Sequence, residues 1–384
     1  MTRFISLLLI LVVLSGCSLF GDDDNSEPPA KLESFEKQVR LVSLWSRDTG
    51  EGTREQRVNL VPAVYRERVY AADRSGAVLA YELDSGKQVW RSKTGLAISA
   101  GAGVGDGLVL VGSSEAELVA LDSESGDELW RTSVSSEILS VPQVSDGVVV
   151  VQTVDGNIAG LDASDGKQLW MHDRSAPVLT LRGTSTPLVV QGIVLAGFAN
   201  GKMAALEIQS GRQVWEVAVA ISRGRSELQR IVDLDADAVI RDGVLYASSY
   251  QGRLVAISLQ DGRMLWNRDM SAYAGIAADN QQVYVSDADS EVWALDRGTG
   301  ASLWKQGKLR RRDLTGPAVT GEYVSVGDFE GYIHLLTQAE GTIAGRVRVD
   351  KAGVQVAPVT LFGDRLLVLG AGGKLVLYQL ESVE

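Results

Sequence analysis

The sequence predicts an all-β protein, an eight-bladed β-propeller, and three observations lead to that fold. A Gly followed four residues later by a Trp recurs with Trp spacings of 40, 40, 45, 51 and 38 residues, a period typical of a four-stranded propeller blade. Gly is frequent at 41 residues and Pro is rare at 8, and valine runs such as 148–151 alternate with Gly-containing turns, as in short strands. The two ends of the chain carry complementary parts of one more blade.

Each copy of the repeat contains signals for four strands, with the Trp in the last one. The Gly before the Trp suits the tight turn that precedes this last strand, because Gly accepts positive φ without steric cost. A seventh copy begins at Gly341 and has Gly345 in the Trp position. The six complete Gly/Trp pairs are Gly86/Trp90, Gly126/Trp130, Gly166/Trp170, Gly211/Trp215, Gly262/Trp266 and Gly300/Trp304.

The chain ends predict how the ring closes. Residues 39–45 form a strand signal that ends in Trp45 but lacks three strands before it, whereas residues 356–380 supply three strands without a fourth. Pairing the two segments would complete an eighth blade, with four antiparallel strands as in the others, and remove an open β edge. We therefore expect one propeller over residues 35–384. A solenoid is the alternative, but it would not need complementary half-blades.

The N-terminal residues have the features of a bacterial lipoprotein signal. A basic start, an apolar run and Leu14-Ser15-Gly16-Cys17 predict a signal peptide over residues 1–16 and lipid modification of Cys17, which resembles the lipobox cysteine. The acidic segment 17–34 contains two prolines and predicts a flexible tether. Ser18 follows the cysteine, which by resemblance to Gram-negative lipoprotein sorting implies the periplasmic face of the outer membrane. An ordinary signal peptide with an accidental cysteine is the alternative.

Composition argues against several function classes. The net charge of −12 repels nucleic acid, and a single Cys and two His leave little material for disulfide or metal chemistry. The acidic stretch 233–237 lacks the Gly and Glu of a calcium loop. The sequence has no GxSxG, P-loop or HExxH motif. We therefore expect no enzymatic activity, no cofactor and no metal site.

The repeat itself resembles that of quinoprotein alcohol dehydrogenases, as in Ala120-Leu121-Asp122 followed by Gly126 and Trp130. The recurring Trp residues are explained by packing between blades. Asp122, Asp162 and Asp296 occupy one position of the blade, which favours turn and inter-blade hydrogen bonds over catalysis. The resemblance keeps a quinoprotein-like enzyme, with a cofactor and a divalent cation near the ring axis, as an alternative.

Two insertions interrupt the regular spacing and are candidates for binding, because loops on a rigid frame commonly bind partners. The connection from Trp130 to the next Pro spans 12 residues, but the following two connections span 17 and 23. Since they are consecutive, both loops should emerge on one side, adjoin, and expose leucines, arginines and aspartates, as a protein-binding patch requires. A third stretch, 45–62, would flank the same face.

A lipoprotein signal, eight such blades and these inserts together resemble the BamB family, non-enzymatic lipoproteins of the outer-membrane β-barrel assembly machinery. The resemblance implies that the chain is a scaffold that binds the periplasmic POTRA region of BamA and assists folding and insertion of outer-membrane proteins. The implied contact residues are Leu179, Leu181, Arg182, Asp233 and Asp235.

Further partners follow from the same resemblance. The other assembly lipoproteins would be reached through BamA, and whether unfolded outer-membrane protein clients bind directly is left open. By itself the chain should be monomeric. Two alternatives remain for the inserts: the leucines cover a blade edge, and the charged residues form an internal ion pair. An envelope lipoprotein that serves a different complex remains the alternative for function.

Overall fold

The computed structural model describes residues 27–173, 185–220, 233–234, 236–250, 252–362 and 364–383. These residues form strands and turns, without a helix, in eight antiparallel four-stranded sheets that follow one another around a ring. The eight-bladed, all-β prediction is therefore confirmed. In the described part of the chain we find no helix with the length and apolar character needed to cross a bilayer.

In each blade the first strand in the chain lies nearest the ring axis and the fourth lies at the outer edge. Blade 8 is the exception, because its outer strand comes from the start of the chain. Blade 1 contains β2 (Ala63–Tyr65), β3 (Arg68–Ala72), β4 (Ala77–Glu82) and β5 (Gln88–Lys93). Blade 2 contains β6 (Ile98–Gly105), β7 (Leu108–Ser113), β8 (Glu117–Asp122) and β9 (Glu128–Ser133). Blade 3 contains β10 (Gln143–Ser145), β11 (Val148–Gln152), β12 (Ile158–Asp162) and β13 (Gln168–His172). Blade 4 contains β14 (Leu188–Val190), β15 (Ile193–Gly197), β16 (Lys202–Glu207) and β17 (Gln213–Ala218).

The second half of the ring repeats this order up to blade 7. Blade 5 contains β18 (Val239–Arg241), β19 (Val244–Ser248), β20 (Arg253–Ser258) and β21 (Met264–Asp269). Blade 6 contains β22 (Ile276–Ala278), β23 (Gln282–Ser286), β24 (Val292–Asp296) and β25 (Ser302–Gln306). Blade 7 contains β26 (Ala318–Thr320), β27 (Tyr323–Gly327), β28 (Tyr332–Thr337) and β29 (Ile343–Arg348). Blade 8 contains β30 (Val359–Leu361), β31 (Arg365–Leu369) and β32 (Lys374–Ser382), with β1 (Val39–Asp48) as its outer strand.

The hydrophobic core lies between neighbouring blades and is built by the two middle strands of each blade. In blade 3 every residue of β11 is buried, and β12 is buried up to Leu161. Both faces of such strands pack against apolar surfaces, so they show continuous apolar runs instead of alternation. The outer strands alternate: in β9 Leu129 is exposed and Trp130 is buried.

Each motif Trp fastens its blade to the next one. Trp130 packs on Gly166 of the following blade, where a Cβ would lie 2.6 Å from the indole ring. Its Nε1 also donates a hydrogen bond to the Ala163 carbonyl, at 2.8 Å. Gly166 has φ of +72°, so glycine meets both demands of this turn. The predicted inter-blade packing is confirmed. The same indole hydrogen bond joins Trp45 to Leu83, Trp90 to Ser123, Trp170 to Ile208, Trp215 to Leu259, Trp266 to Arg297 and Trp304 to Gln338.

The repeated aspartates cap the turn before the outer strand, which confirms the turn hydrogen bonds predicted for them; the inter-blade hydrogen bonds stay a prediction. The Oδ1 atom of Asp162 accepts hydrogen bonds from the amide and the hydroxyl of Ser164, at 2.8 and 2.6 Å. These hydrogen bonds lower the pKa of Asp162 below its usual range. Asp122 and Asp296 accept amide hydrogen bonds in the corresponding turns.

The ring closes through the two ends of the chain, as the sequence predicts. β1 pairs antiparallel with β32, from Val39 opposite Ser382 to Asp48 opposite Lys374. Trp45 of β1 then covers Gly86 of blade 1 in the same way as the other motif Trp residues. The outer strand of blade 8 is therefore supplied from the opposite end of the sequence, and the sheet is complete.

The two faces of the ring carry different loops. The connector face bears the connectors that lead from the outer strand of one blade to the inner strand of the next, together with the turns between second and third strands. The hairpin face bears the turns between first and second strands and between third and outer strands. In the described part of the chain, the ends of the inter-blade connectors, including the flanks of both insertions, belong to the connector face.

Residues 27–38, which we name the strap, lie against blade 7 and the connector that precedes it. The Ala30 amide donates to the Arg310 carbonyl, at 2.9 Å, and Leu32 and Phe35 pack against the apolar cluster around Leu309. Residues 27–34 thus have fixed contacts within the segment 17–34 for which the sequence predicts a tether. Cys17 and the predicted signal peptide lie outside the described residues, and their roles stay predictions.

Candidate partner-binding face

The two insertions lie in the connectors after blades 3 and 4, at residues 173–187 and 219–238. Of the five predicted contact residues, Leu179, Leu181, Arg182 and Asp235 lie outside the described residues. Asp233 is described, as are the flanks of both connectors. The geometry of this face is therefore built from those flanks.

The flanks of the two connectors touch. The Thr186 amide, at the end of the first connector, donates a 2.7 Å hydrogen bond to Oδ1 of Asp237, at the end of the second. Both flanks also meet at Gly197 of β15, where an added Cβ would lie 2.8 Å from Leu234 Cβ and 2.9 Å from Ser185 Oγ. The glycine makes this close approach of the two connectors possible. The prediction that the insertions share one face and adjoin is confirmed for these flanks.

Asp233 differs from the expectation of an exposed aspartate. Its side chain has no solvent-accessible surface, and its carbonyl accepts a 3.0 Å hydrogen bond from the Tyr250 amide in the neighbouring blade. A carboxylate in such a position has to be held by polar groups, because burying a charge is costly. Asp233 therefore supports the connector from within, and a binding role for it stays a prediction.

Asp237, at the end of the second connector, is only half-buried. Burial raises the pKa of its carboxyl above the usual range, while the hydrogen bond from Thr186 acts in the opposite direction. In the sequence this aspartate stands out only as part of the acidic stretch 233–237, and no pattern distinguishes Thr186. A hydrogen bond between two different connectors has no counterpart in the spacing of one repeat.

A cavity of about 780 Å³ opens on the connector face at the ring axis. The rings of Tyr250 and Tyr273 meet edge-on in its lining, with centroids 6.2 Å apart. Arg57, from the stretch 45–62 that was expected to flank this face, forms an ion pair with Asp313 in the cavity wall. The connector face thus combines aromatic rings and paired charges in a cavity that also includes Asp237, from the flank of the second insertion.

The described residues of this cavity do not fit a quinone cofactor with its divalent cation. Asp289 and Asp313, two carboxylates of the lining, already pair with Arg311 and Arg57. Throughout the described ranges, no three His, Cys, Asp or Glu side chains come close enough together to hold a metal ion. What the arrangement offers chemically is contact surface: rings for apolar side chains and charged groups for hydrogen bonds.

Comparison with known proteins agrees with this geometry. The family model described as "Outer membrane protein assembly factor BamB" matches residues 36–97 and 74–306. The outer membrane protein assembly factor BamB of Pseudomonas aeruginosa is 47% identical over 376 residues, which cover 98% of each chain. The chain belongs to the BamB family.

Two solved structures show the same fold at different levels of sequence identity. The crystal structure of BamB from Moraxella catarrhalis is similar with a TM-score of 0.82 and 29% identity, over 88% of this chain and 99% of that one. The quinohemoprotein alcohol dehydrogenase of Comamonas testosteroni is similar with a TM-score of 0.70 but only 14% identity, over 88% of this chain and 76% of that one. The second similarity concerns the fold alone.

Proposed function

We propose that the chain is a non-catalytic scaffold lipoprotein of outer-membrane β-barrel protein assembly, which binds the periplasmic POTRA region of BamA through the two insertions. Membership of the BamB family supports the role in assembly. The observation that supports the binding site is the contact between the connector flanks, Thr186 to Asp237 at 2.7 Å, since the two short motifs belong to the connectors whose ends meet there.

In this proposal the residues of the insertions have different roles. Leu179 and Leu181 are apolar anchors, and Arg182 pairs with an acidic group of the partner, as in interfaces where a few central residues supply most of the affinity. Asp235 forms an ion pair with a basic group of the partner. Asp233, which is buried, holds the second connector in shape and acts on binding through it.

The proposal includes the place of the protein in the cell. Acylated Cys17 anchors the monomeric propeller to the periplasmic face of the outer membrane, since several acyl chains give stable attachment. The other assembly lipoproteins are reached through BamA, and neither a cofactor nor nucleic acid takes part. The chain's net charge of −12 is consistent with the last point.

Titration of the propeller with the isolated POTRA region tests the binding site. Leu179→Ala with Leu181→Ala, and separately Arg182→Glu, should each weaken binding by ≥ ~2 kcal/mol, about thirtyfold in Kd. Asp235→Ala should weaken it less and in a salt-dependent way. Leu129→Ala is the matched control, because Leu129 is an exposed leucine on the outer strand of blade 2. Its affinity should equal that of the unaltered protein.

Melting curves of the same variants separate contact from folding. Asp233→Ala should lower both affinity and Tm, since the residue is buried, whereas the other variants should leave Tm unchanged. Unchanged affinity in all of them would place the partner surface elsewhere on the ring. Tight binding of the quinone cofactor with calcium and alcohol-dependent dye reduction would favour the quinoprotein-like alternative instead.

A further inference from the structure

The strap is bound to blade 7 and the connector that precedes it by contacts along its whole length. At its start, Glu27 pairs with Arg310, at 3.3 Å. In its middle, Glu33 pairs with Lys308, at 3.1 Å. At its end, the Gln38 amide donates to the carbonyl of Ala344 in β29, at 2.9 Å. A segment with charged, apolar and backbone contacts at successive positions has one defined path.

Two arginines hold the strap by its backbone. Arg312 Nη1 donates to the Ala30 carbonyl, at 3.0 Å, and Arg346 Nη1 donates to the Glu33 carbonyl, at 3.1 Å. The Arg346 guanidinium also lies over the ring of Phe35, 4.9 Å from its centroid. Since these contacts are to carbonyl groups and a ring, they fix the course of the chain and do not depend on the exposed ion pairs, which are individually weak.

A buried polar network positions both arginines. Asp328 Oδ2 accepts hydrogen bonds from Arg312 Nε, at 2.8 Å, and from His334 Nε2, at 2.9 Å. Arg346 Nε donates to His334 Nδ1, at 3.0 Å. Because Nδ1 accepts, the histidine proton must be on Nε2, where it is donated to Asp328. One network thus links both arginines that hold the strap.

The path of the strap leads from one face of the ring to the other. β1 begins on the hairpin face, where Val39 lies opposite Ser382, the last residue of β32. The first residues of the strap lie instead at Arg310, in the connector between blades 6 and 7, next to Arg311 of the axial cavity. The strap therefore moves the exit of the N-terminal chain from the hairpin face to the connector face.

We infer that the connector face, with the axial cavity and both insertions, is the face that the lipid anchor holds toward the membrane surface. The inference rests on the anchor at Cys17 in the proposed function. Nine residues lie between Cys17 and Glu27, and the ten residue-to-residue steps span at most ~35 Å when fully extended. The connector between blades 6 and 7 thus stays within that distance of the bilayer. Without the strap, the chain would leave the ring on the hairpin face.

Energy transfer to a lipid surface tests this orientation. The chain from Cys17 onward is coupled through the Cys17 thiol to phosphatidylcholine vesicles that contain a maleimide lipid, which fixes the attachment point whether or not the cell acylates it. A bioorthogonal donor dye is placed at Lys351 or at Glu340, exposed positions on the connector face and the hairpin face of blade 7. The strand β29 between them has six residues, about 20 Å. Transfer to an acceptor headgroup should be stronger from Lys351.

Release of the strap should remove the difference in energy transfer between Lys351 and Glu340. Replacing residues 27–36 by a Gly-Ser sequence of equal length keeps the contour of the tether but deletes the contacts, and it should bring the transfer from the two positions close together. Lys31→Ala with Glu36→Ala is the matched control, since both side chains are exposed strap positions, and it should keep the difference. Amide exchange at Gln38, which lies outside the replaced residues and donates to Ala344, reports on docking and should become faster only in the released variant.

Equal transfer from both positions in the unaltered chain, or stronger transfer from Glu340, would overturn the inference. A difference that survives in the released variant would also contradict it, because the strap would then not set the orientation. Failure of the proposed function is visible elsewhere: sedimentation of Cys17→Ser with membranes would refute the anchor, and unchanged POTRA affinity would refute the binding site. Neither result alters the transfer measured on thiol-coupled vesicles.

Discussion

Blades 1 to 6 and the junction of blades 7 and 8 arise from the same repeat but are fastened differently. In blades 1 to 6 a Trp of the outer strand covers the Gly turn of the next blade, as Trp304 covers Gly341. Blade 7 has Gly345 in the Trp position, and a Cβ there would lie 2.8 Å from the carbonyl oxygen of Val39.

The difference follows from how the ring closes. In blade 8 the third strand and the outer strand are opposite ends of the chain, so no turn joins them. A Trp in blade 7 would have no turn to cover, and its side chain would occupy the path of β1. The glycine lets β1 approach, and the strap adds its own contacts to blade 7. The degenerate copy of the repeat is therefore a requirement of closure.

Removing β1, the strand that closes the ring, should cause the largest loss of stability. A chain that starts at Thr49 lacks the partner of β32 and also Trp45, and burial of one such Trp alone contributes about 3–5 kcal/mol. We expect a Tm far below that of a chain starting at Glu27, together with self-association through the open edge. Thermal unfolding and sedimentation measure both. Equal melting temperatures and a monomeric short chain would mean that β1 does not close the ring.

The second-largest loss of stability is expected when the motif Trp of a regular blade is replaced. Trp130→Ala removes a ring that is 8% exposed and its hydrogen bond to Ala163, and should cost about 3–5 kcal/mol of unfolding free energy. The adjacent Leu129→Ala is the control: this residue is 52% exposed and should change stability by about 0.5 kcal/mol or less. Denaturant titration compares them. Similar losses in both variants would contradict the inter-blade role of the indole.

The sequence was sufficient to predict this part of the molecule because the repeat is local. The spacing from Gly166 to Trp170 and the strand signals between copies recur in each blade, so blade number and ring closure could be predicted without any knowledge of long-range contacts. The same reasoning located the two insertions as departures from the spacing. The adjacency of their flanks at Gly197 followed from blade order alone.

Other features depend on residues far apart in the chain. The acidic composition of segment 17–34 indicates a solvated tether, yet Glu27 pairs with Arg310, a residue that the repeat pattern places in an ordinary connector. The exposure expected of Asp233 was wrong, because a carboxylate in a loop is usually solvated and the sequence does not show that this residue is buried where its carbonyl pairs with the Tyr250 amide. Pairing between blades, unlike the repeat, leaves no periodic signal.

A smaller effect is expected from filling the space that lets β1 approach. Gly345→Ala places a Cβ against Val39 and 3.3 Å from Leu335 Cδ1, so it should destabilise the ring by about 1–3 kcal/mol, as overpacking commonly does. Gly298→Ala is the matched control, since its Cβ would meet nothing nearer than 3.6 Å. That substitution should be neutral or stabilise by up to about 1 kcal/mol. The unfolding free energies of the two variants test this expectation. An unchanged unfolding free energy in Gly345→Ala would show that there is room for a side chain beside β1.

The smallest effect is a pH dependence confined to blade 7. His334 has no solvent-accessible surface and faces Asp328, Arg346 and Arg312. Burial lowers the pKa of His334 below its usual value, although the hydrogen bond to Asp328 opposes this. The folded protein therefore resists a proton that the unfolded chain binds near pH 6.5. Stability must then fall as the pH falls through about 6.5, by at most ~1.4 kcal/mol per pH unit.

Comparing the unaltered chain with His334→Gln isolates this contribution. The unaltered protein should lose about 1 kcal/mol more than the variant between pH 7.5 and 5.5, because carboxylates common to both cancel in the difference and because the pKa of Asp328 is itself lowered by its partners. The glutamine keeps one donor and one acceptor, so the variant should remain folded at pH 7.5, though less stable. His172→Gln, at the half-buried end of β13, is the matched control. This variant should lose nearly as much stability between pH 7.5 and 5.5 as the unaltered protein. Urea unfolding at the two pH values measures all three proteins. If His334→Gln loses as much stability as the unaltered chain, the histidine is protonated in the folded state and cannot accept the hydrogen bond from Arg346 that supports the strap.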